Sequence, residues 1–287
     1  MVLRRAFVVL VGLFFANAAP LEKPGYSREV EEAYIDYEVA ELGKHFEGDI
    51  LLTSIQKQAI ESEPDERNGL QSSTKRWPNR TVVYHIVKDD FNETQIEMIE
   101  EGMNDIANKS CIKFRLREKD EHAVTIQGSA AGCFSNVGLD YEEHEEGEEE
   151  HRQVLNLAPN CFKHGTVVHE MLHTLGFYHM QSTYDRDDFV RIVWENIRPG
   201  VEYNFKKYTV DTVTDFGVPY DYGSVMHYTE NAFSKNGNNT IVPLQANVTI
   251  GQRKGLSERD VIKLNRMYCE ESGEPISYII NTDMRVK

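Results

Sequence analysis

The spacing of apolar and polar positions divides the chain at Trp77-Pro78. Downstream, residues 81–87 (TVVYHIV) are dense in β-branched and aromatic side chains and predict a strand. Asn92 then stands where a helix wants a cap. Ile96, Ile99, Met103 and Ile106 recur at helical spacing, which predicts a helix to about Lys109. Residues 111–117, 123–127 and 153–157 read as further strands, and residues 166–175 as a helix. Ser257 and Asp260 form an S-x-x-D capping box that opens a last helix reaching Tyr268. Strands and helices are mixed early and the chain is irregular late, with no internal repeat. That pattern predicts an α+β domain.

Upstream of the divide the pattern fades. Residues 27–68 are polar and acidic, with one amphipathic stretch at 28–42; the rest is short on aromatics and has no strand pattern. Such a segment cannot bury enough apolar surface to fold alone. It reads either as a pro-segment leaning on the domain or as a solvated arm. At the very start, Arg4 and Arg5 precede an apolar run of eleven residues (6–16), and Ala16-Asn17-Ala18 supplies a small-x-small cleavage pattern. The run is shorter than the ~20 residues a membrane helix needs, so residues 1–18 read as a removed secretory signal. The expectation is a secreted, soluble protein with no membrane partner. Five Asn-x-Ser/Thr tripeptides, at Asn79, Asn92, Asn108, Asn238 and Asn247, suit that route as glycosylation candidates.

Composition narrows the function classes. Of 287 residues, 40% are apolar and 27% charged, enough for a sizeable buried core. The formal net charge of −16 repels phosphate backbones, so nucleic acid is excluded as a partner class. Eight acidic residues crowd positions 140–150 and read as a solvated loop. The other reading is a patch that repels acidic ligands or attracts basic ones. His144 and His151 lie in or beside it without the spacing of a metal site. Four cysteines allow two staples in an oxidising compartment, and three pairings are open from the sequence alone.

The chemistry concentrates in His169-Glu170-Met171-Leu172-His173-Thr174-Leu175-Gly176-Phe177-Tyr178-His179. On a helix, positions i and i+4 share a face, so His169 and His173 can grip one ion. Glu170 sits beside them, able to act as a base without being a ligand. Gly176 lets the chain leave the helix through a backbone conformation costly for other residues, and the turn brings His179 round as a third nitrogen. Three imidazoles leave one position for water, the catalytic rather than the structural zinc arrangement. Chance produces this longer pattern in on the order of one chain in 10⁴ of such composition. Ser224-Val225-Met226-His227-Tyr228 adds the methionine turn that accompanies the signature, with Met226 as an apolar floor.

With these strings, Asp185-Arg186-Asp187, Glu195-Asn196-Ile197 and Ile250-Gly251-Gln252-Arg253, the chain resembles the astacin zinc endopeptidases of the metzincin clan over roughly residues 46–269. The resemblance implies a two-subdomain catalytic domain (68–269), with a mixed sheet and long zinc helix in the N-terminal half. The C-terminal half is irregular and ends in a helix. It implies one Zn²⁺ per chain on His169, His173 and His179, Glu170 as general base, and Tyr228 as a switchable fifth ligand that stabilises the oxyanion. It also implies that residues 19–67 are a latency segment: Phe46-Glu47-Gly48-Asp49-Ile50 is similar to the family's motif in which the aspartate, here Asp49, takes the open zinc position. Arg67 lies ten residues before Trp77, a spacing at which related enzymes are cut. The expected processing is therefore Arg67-Asn68 by a trypsin-like protease, with Lys75-Arg76 a second candidate. The implied disulfides are Cys111–Cys269 and Cys133–Cys161. The tail 270–287 is too short for a further binding module, so substrate choice is expected in the cleft.

One position departs from the family pattern. Met180 stands where relatives carry a glutamate that receives the new N-terminal amine, so the coupling between processing and activity is in question. Arg253 corresponds to an arginine that favours an acidic residue after the scissile bond; the plain alternative is a surface arginine. The function that results is a secreted zinc endopeptidase made as a zymogen, acting on proteins or peptides. The alternatives are a proteolytically silent zinc-binding interaction protein, motivated by Met180 and the acidic run, and a fold stabilised by a structural zinc.

Overall fold

The computed structural model describes residues 45–61, 75–119, 121–140, 153–209 and 213–269. The signal, the amphipathic stretch 28–42, the Arg67-Asn68 junction, residues 141–152 with His144 and His151, and the tail 270–287 lie outside the described residues.

Among the described residues, eight short strands and four α-helices make up the domain. The strands are β1 (Ile50–Leu51), β2 (Thr81–Ile86), β3 (Lys113–Leu116), β4 (Val124–Gln127), β5 (Cys133–Asn136), β6 (Val154–Leu157), β7 (Val190–Ile192) and β8 (Ile241–Pro243). The helices are α1 (Ser54–Glu61), α2 (Glu93–Lys109), α3 (His164–Thr174) and α4 (Glu258–Tyr268). Six strands form a mixed sheet in the order β1-β5-β6-β4-β2-β3, and β7 pairs with β8 antiparallel. Within the large sheet β5 and β6 pair antiparallel, with Cys133 opposite Leu157, and the other neighbours pair parallel. The architecture is α+β, as the patterning predicts.

The predicted elements form for the reasons the sequence offers. Asn92 caps α2 by accepting the Gln95 backbone N–H, and the Gln95 side chain accepts the Asn92 backbone N–H in turn. Ser257 and Asp260 make the same reciprocal pair at α4. Strand β5 escapes prediction because it is four residues long and half polar. Its Ser135 and Asn136 are nonetheless buried. Residues 46–61 were expected to carry no strand. Ile50 and Leu51 instead pair in parallel with Ser135 and Asn136 on the sheet edge. A Thr53/Gln56 capping box then opens α1, and the buried Gln56 amide donates to the Val137 carbonyl. A two-residue strand has no period to read; the sheet edge supplies its order. Asp140 also corrects the solvated-loop reading at its first position: it is 2% exposed, and its carboxylate accepts the Asn136 amide at 3.0 Å.

Ten of the eleven residues of α3 are buried, which makes it a central helix rather than an amphipathic surface one. It packs on α2, β5 and β6 through Val167, Val168, Met171 and Leu172, in a core shared with Ile99, Met103 and Ile106. A second core, around Phe205, Tyr220, Tyr228, Phe233 and Ile241, belongs to the irregular C-terminal half. Cys111–Cys269 ties the end of α4 to the residues after α2 within the first core, while Cys133–Cys161 closes a local loop; both bridges are the ones the resemblance implies. No helix among the described residues is long and apolar enough to cross a membrane.

Candidate active site

Close packing fixes where α3 begins and local backbone chemistry fixes where it ends. A Cβ on Gly165 would lie 2.0 Å from the Arg253 carbonyl carbon, and the Gly165 N–H donates to the Arg253 carbonyl at 3.1 Å. The start is set by this close approach; no side chain caps it, so the sequence carries no start signal there. At the other end Gly176 takes φ +106°, the Phe177 N–H bonds the Leu172 carbonyl and the Gly176 N–H bonds the His173 carbonyl. That is a Schellman ending, and it is what glycine is needed for. The chain then swings back, and the Met180 N–H docks on the Met226 carbonyl at 3.0 Å. His179 is thereby held against the methionine turn.

Each imidazole is aimed by its outer nitrogen. His169 Nδ1 donates to the Val225 carbonyl at 2.8 Å, His173 Nδ1 to the Phe177 carbonyl at 2.7 Å, and His179 Nδ1 to Glu47 Oε2 at 2.9 Å. With the proton on Nδ1, all three Nε2 lone pairs point inward. His169 Nε2 lies 3.1 Å from His173 Nε2 and 3.3 Å from His179 Nε2. Bare lone pairs at that distance repel. A tetrahedral zinc with bonds of about 2.0–2.1 Å sets its nitrogens about 3.3 Å apart, so the spacing fits that ion. Asp49 completes the cluster, with Oδ2 3.2 Å from His169 Nε2 and 3.3 Å from His179 Nε2, and Oδ1 3.5 Å from His173 Nε2. All four side chains are buried. Asp49 Oδ1 and Glu170 Oε2 are buried and accept no hydrogen bond.

The electrostatics favour positive charge at the centre. Burial pushes the His169 imidazole down to about 3, so it is neutral, as a ligand must be. Burial also acts downward on His179, but the Asp49 and Glu47 carboxylates outweigh it and raise that ring to about 9. Burial opposes ionisation of Asp49, yet the three histidines hold its carboxyl well below the usual carboxylate range. Burial, then the charge of Asp49, pushes Glu170 well above it. A proton on His179 or a divalent ion at the centre answers the same need.

The fold and this donor set define a zinc peptidase of the three-histidine class. Residues 69–269 match the family profile described as Astacin, a peptidase family. Zinc metalloproteinase nas-4 of Caenorhabditis elegans is 34% identical over 229 residues, covering 79% of this chain and 70% of that protein. Seminal metalloprotease 1 of Drosophila melanogaster is 38% identical over 206 residues, covering 70% of this chain and 81% of its own length. Among solved structures, high choriolytic enzyme 1, a hatching enzyme zinc-protease from Oryzias latipes, superposes with a TM-score of 0.58 at 34% identity. It covers 68% of this chain and 93% of that one. The chain spans about half the length of other curated relatives it matches, 54% and 50% in two cases. The chain belongs to the astacin family, and its metal centre is a site for one zinc ion.

The remaining sequence candidates fall into place around this centre. The Tyr228 ring lies 4.6 Å from that of His179, and its hydroxyl donates to the Glu47 carbonyl. Met226 is 2% exposed. Arg253 Nη1 donates to the Val225 and His227 carbonyls at 3.2 and 3.1 Å, bracing the turn. Met180 is buried, with the Lys263 ammonium donating to its sulfur at 3.3 Å. Asn79, Asn92, Asn108, Asn238 and Asn247 are all exposed. Three supporting residues escaped the sequence reading. Glu47 holds His179; Gln181 Oε1 accepts the Tyr228 N–H at 3.1 Å; Asp260 accepts Ser224 Oγ and the Val225 N–H at 2.6 and 2.9 Å. The sequence pattern marks Asp260 only as a helix cap. Glu47 lay inside the latency motif with no role of its own.

Proposed function

We propose that the chain is a secreted zinc endopeptidase made as a zymogen, in which Asp49 blocks the metal site until residues 19–67 are removed. The carrying observation is the Asp49 carboxylate seated within 3.2–3.5 Å of all three Nε2 atoms. Residues 1–18 are the export signal. Cleavage after Arg67 by a trypsin-like protease yields a mature chain beginning at Asn68. A cut at Lys75-Arg76 is disfavoured because the Lys75 carbonyl is bonded to the Leu139 N–H and Trp77 is buried, its indole N–H donating to the Thr174 carbonyl at 2.8 Å. The five exposed Asn-x-Ser/Thr sites are candidates for glycans on this route.

Zinc, when bound, supplies Lewis acidity: it makes water nucleophilic near neutral pH and polarises the substrate carbonyl. The chain's own groups handle protons and position. His169, His173 and His179 hold the ion through Nε2, each oriented by its Nδ1 partner. Glu170, buried with one carboxylate oxygen that accepts no hydrogen bond, takes the proton of the attacking water and returns it to the departing amine. Once the Glu47 carbonyl has left, the Tyr228 hydroxyl is free to donate to the oxygen on which negative charge develops. The substrates are proteins or peptides. Nucleic acid and membranes have no part in this reading.

The test compares processed wild type with E170A on casein, with and without chelator, while zinc content is measured. Chelator-sensitive cleavage that falls by about 10²–10⁴-fold in E170A at unchanged zinc is the expected result. Equal zinc with no cleavage in either protein overturns the proposal in favour of a silent binding protein.

A further inference from the structure

We propose that the latency segment inhibits with two carboxylates, and that Glu47 is the second, seated in a cup of its own formed by His179 Nδ1 and Ser182 Oγ. The inference deepens the zymogen reading above and rests on it. Glu47 is 1% exposed, far below what an unpaired carboxylate tolerates. Its Oε2 accepts from His179 Nδ1 at 2.9 Å and its Oε1 from Ser182 Oγ at 2.7 Å. The buried Tyr208 hydroxyl feels the charge of this carboxylate, which helps to raise its pKa beyond what burial does. These contacts do not involve the metal-binding nitrogens.

The backbone is shaped to deliver both acids at once. Glu47 takes φ 47° and Gly48 φ 86°, two successive left-handed residues. For glutamate that conformation is unfavourable and persists only where the surroundings impose it. Its effect is to place carboxylates on both sides of one ring, Asp49 Oδ2 3.3 Å from His179 Nε2 and Glu47 Oε2 2.9 Å from His179 Nδ1. The same residue engages the Tyr228 hydroxyl with its carbonyl. Glu47 is a positioning residue: it fixes a zinc ligand and holds the oxyanion donor away, and it does so without touching the ion. When the segment leaves, His179 and Ser182 lose a common acceptor.

The experiment uses the full-length protein, as wild type, E47A, S182A and the double variant, each before and after chelation. It reads hydrogen exchange at the amides of Gly48 and Ile50, bonded to the His45 and Phe46 carbonyls, and of Ser135, bonded to the Asp49 carbonyl. Expected are an acceleration of about tenfold or more in E47A, a smaller one in S182A, and a double variant no faster than E47A, because both changes remove the same bond. E47A exchange within about threefold of wild type, or effects that simply multiply, overturns the proposal. Should E47A fail to fold, a peptide of residues 45–51 offered to processed wild type decides the matter. The Glu47→Ala peptide should bind about tenfold more weakly than the natural one, and equal binding overturns the proposal. Neither readout needs peptidase activity. A chain that shows the coupling yet cleaves nothing with zinc refutes the peptidase reading and leaves this one standing.

Discussion

Asp260 Oδ2 accepts the Val225 N–H at 2.9 Å, and the Val225 carbonyl in turn orients His169 at 2.8 Å, so α4 steadies the first zinc ligand. The same carboxylate holds Ser224 Oγ at 2.6 Å and the Ser257 N–H at 3.0 Å. Replacing Asp260 with alanine orphans buried donors at about 1–3 kcal/mol each and loosens the support of a ligand, which typically costs about 10–100-fold in metal affinity. D260A is therefore expected to melt lower and to yield zinc to a chelator more readily. Thermal denaturation and chelator competition measure both. Unchanged zinc affinity would confine Asp260 to helix capping.

Metal removal should be visible in stability. Nitrogens drawn to about 3 Å of one another repel unless a cation lies between them. An ion present at a thousandfold above its Kd adds about 4 kcal/mol, which for a domain of this size is roughly 8–16 °C in Tm. Excess chelator should lower Tm by that order, zinc should restore it, and magnesium, which prefers oxygen ligands, should not. An unmoved Tm would mean the histidines are held together by protein contacts alone.

Position 180 offers a thioether, and the cation already beside it is Lys263, whose pKa is lowered by burial despite several nearby carboxylates. A new N-terminal ammonium gains no partner there. Trimming a few residues beyond Asn68 is thus expected to change activity less than about threefold, below ~1 kcal/mol. Kinetics on a set of mature chains with staggered starts provides the check, and a loss of tenfold or more on trimming would refute it.

Arg253 has the charge to favour Asp or Glu after the scissile bond, although one of its nitrogens is already committed to the Val225 and His227 carbonyls. Cleavage of a peptide library should show an acidic bias at P1′ that weakens by about tenfold in R253K, since a lysine cannot keep both the brace and a forked contact. A library without that bias leaves Arg253 as a brace only.

Much of the domain is legible in the sequence pattern. The helices over residues 93–109 and 258–268 announce themselves by apolar spacing and by reciprocal caps at Asn92 and Ser257, signals contained within four residues. Strands β1, β5, β7 and β8 were not legible: each is two to four residues long and owes its order to a neighbour. Helix α3 begins two residues before its pattern does, because Gly165 marks a close approach to the Arg253 backbone, 88 positions away in the chain numbering, and not a cap.

Sequence by itself determined which three imidazoles can meet on one ion, because one helical turn and one glycine ending are local geometry that spacing alone encodes. Only the tertiary structure decided what aims those ligands and what guards them. Glu47 meets His179 across 132 positions and Asp260 meets Val225 across 35, and no periodicity in a chain records such encounters. They exist because folding draws α3 into one core and Tyr228 into another, burying polar groups that must then find one another.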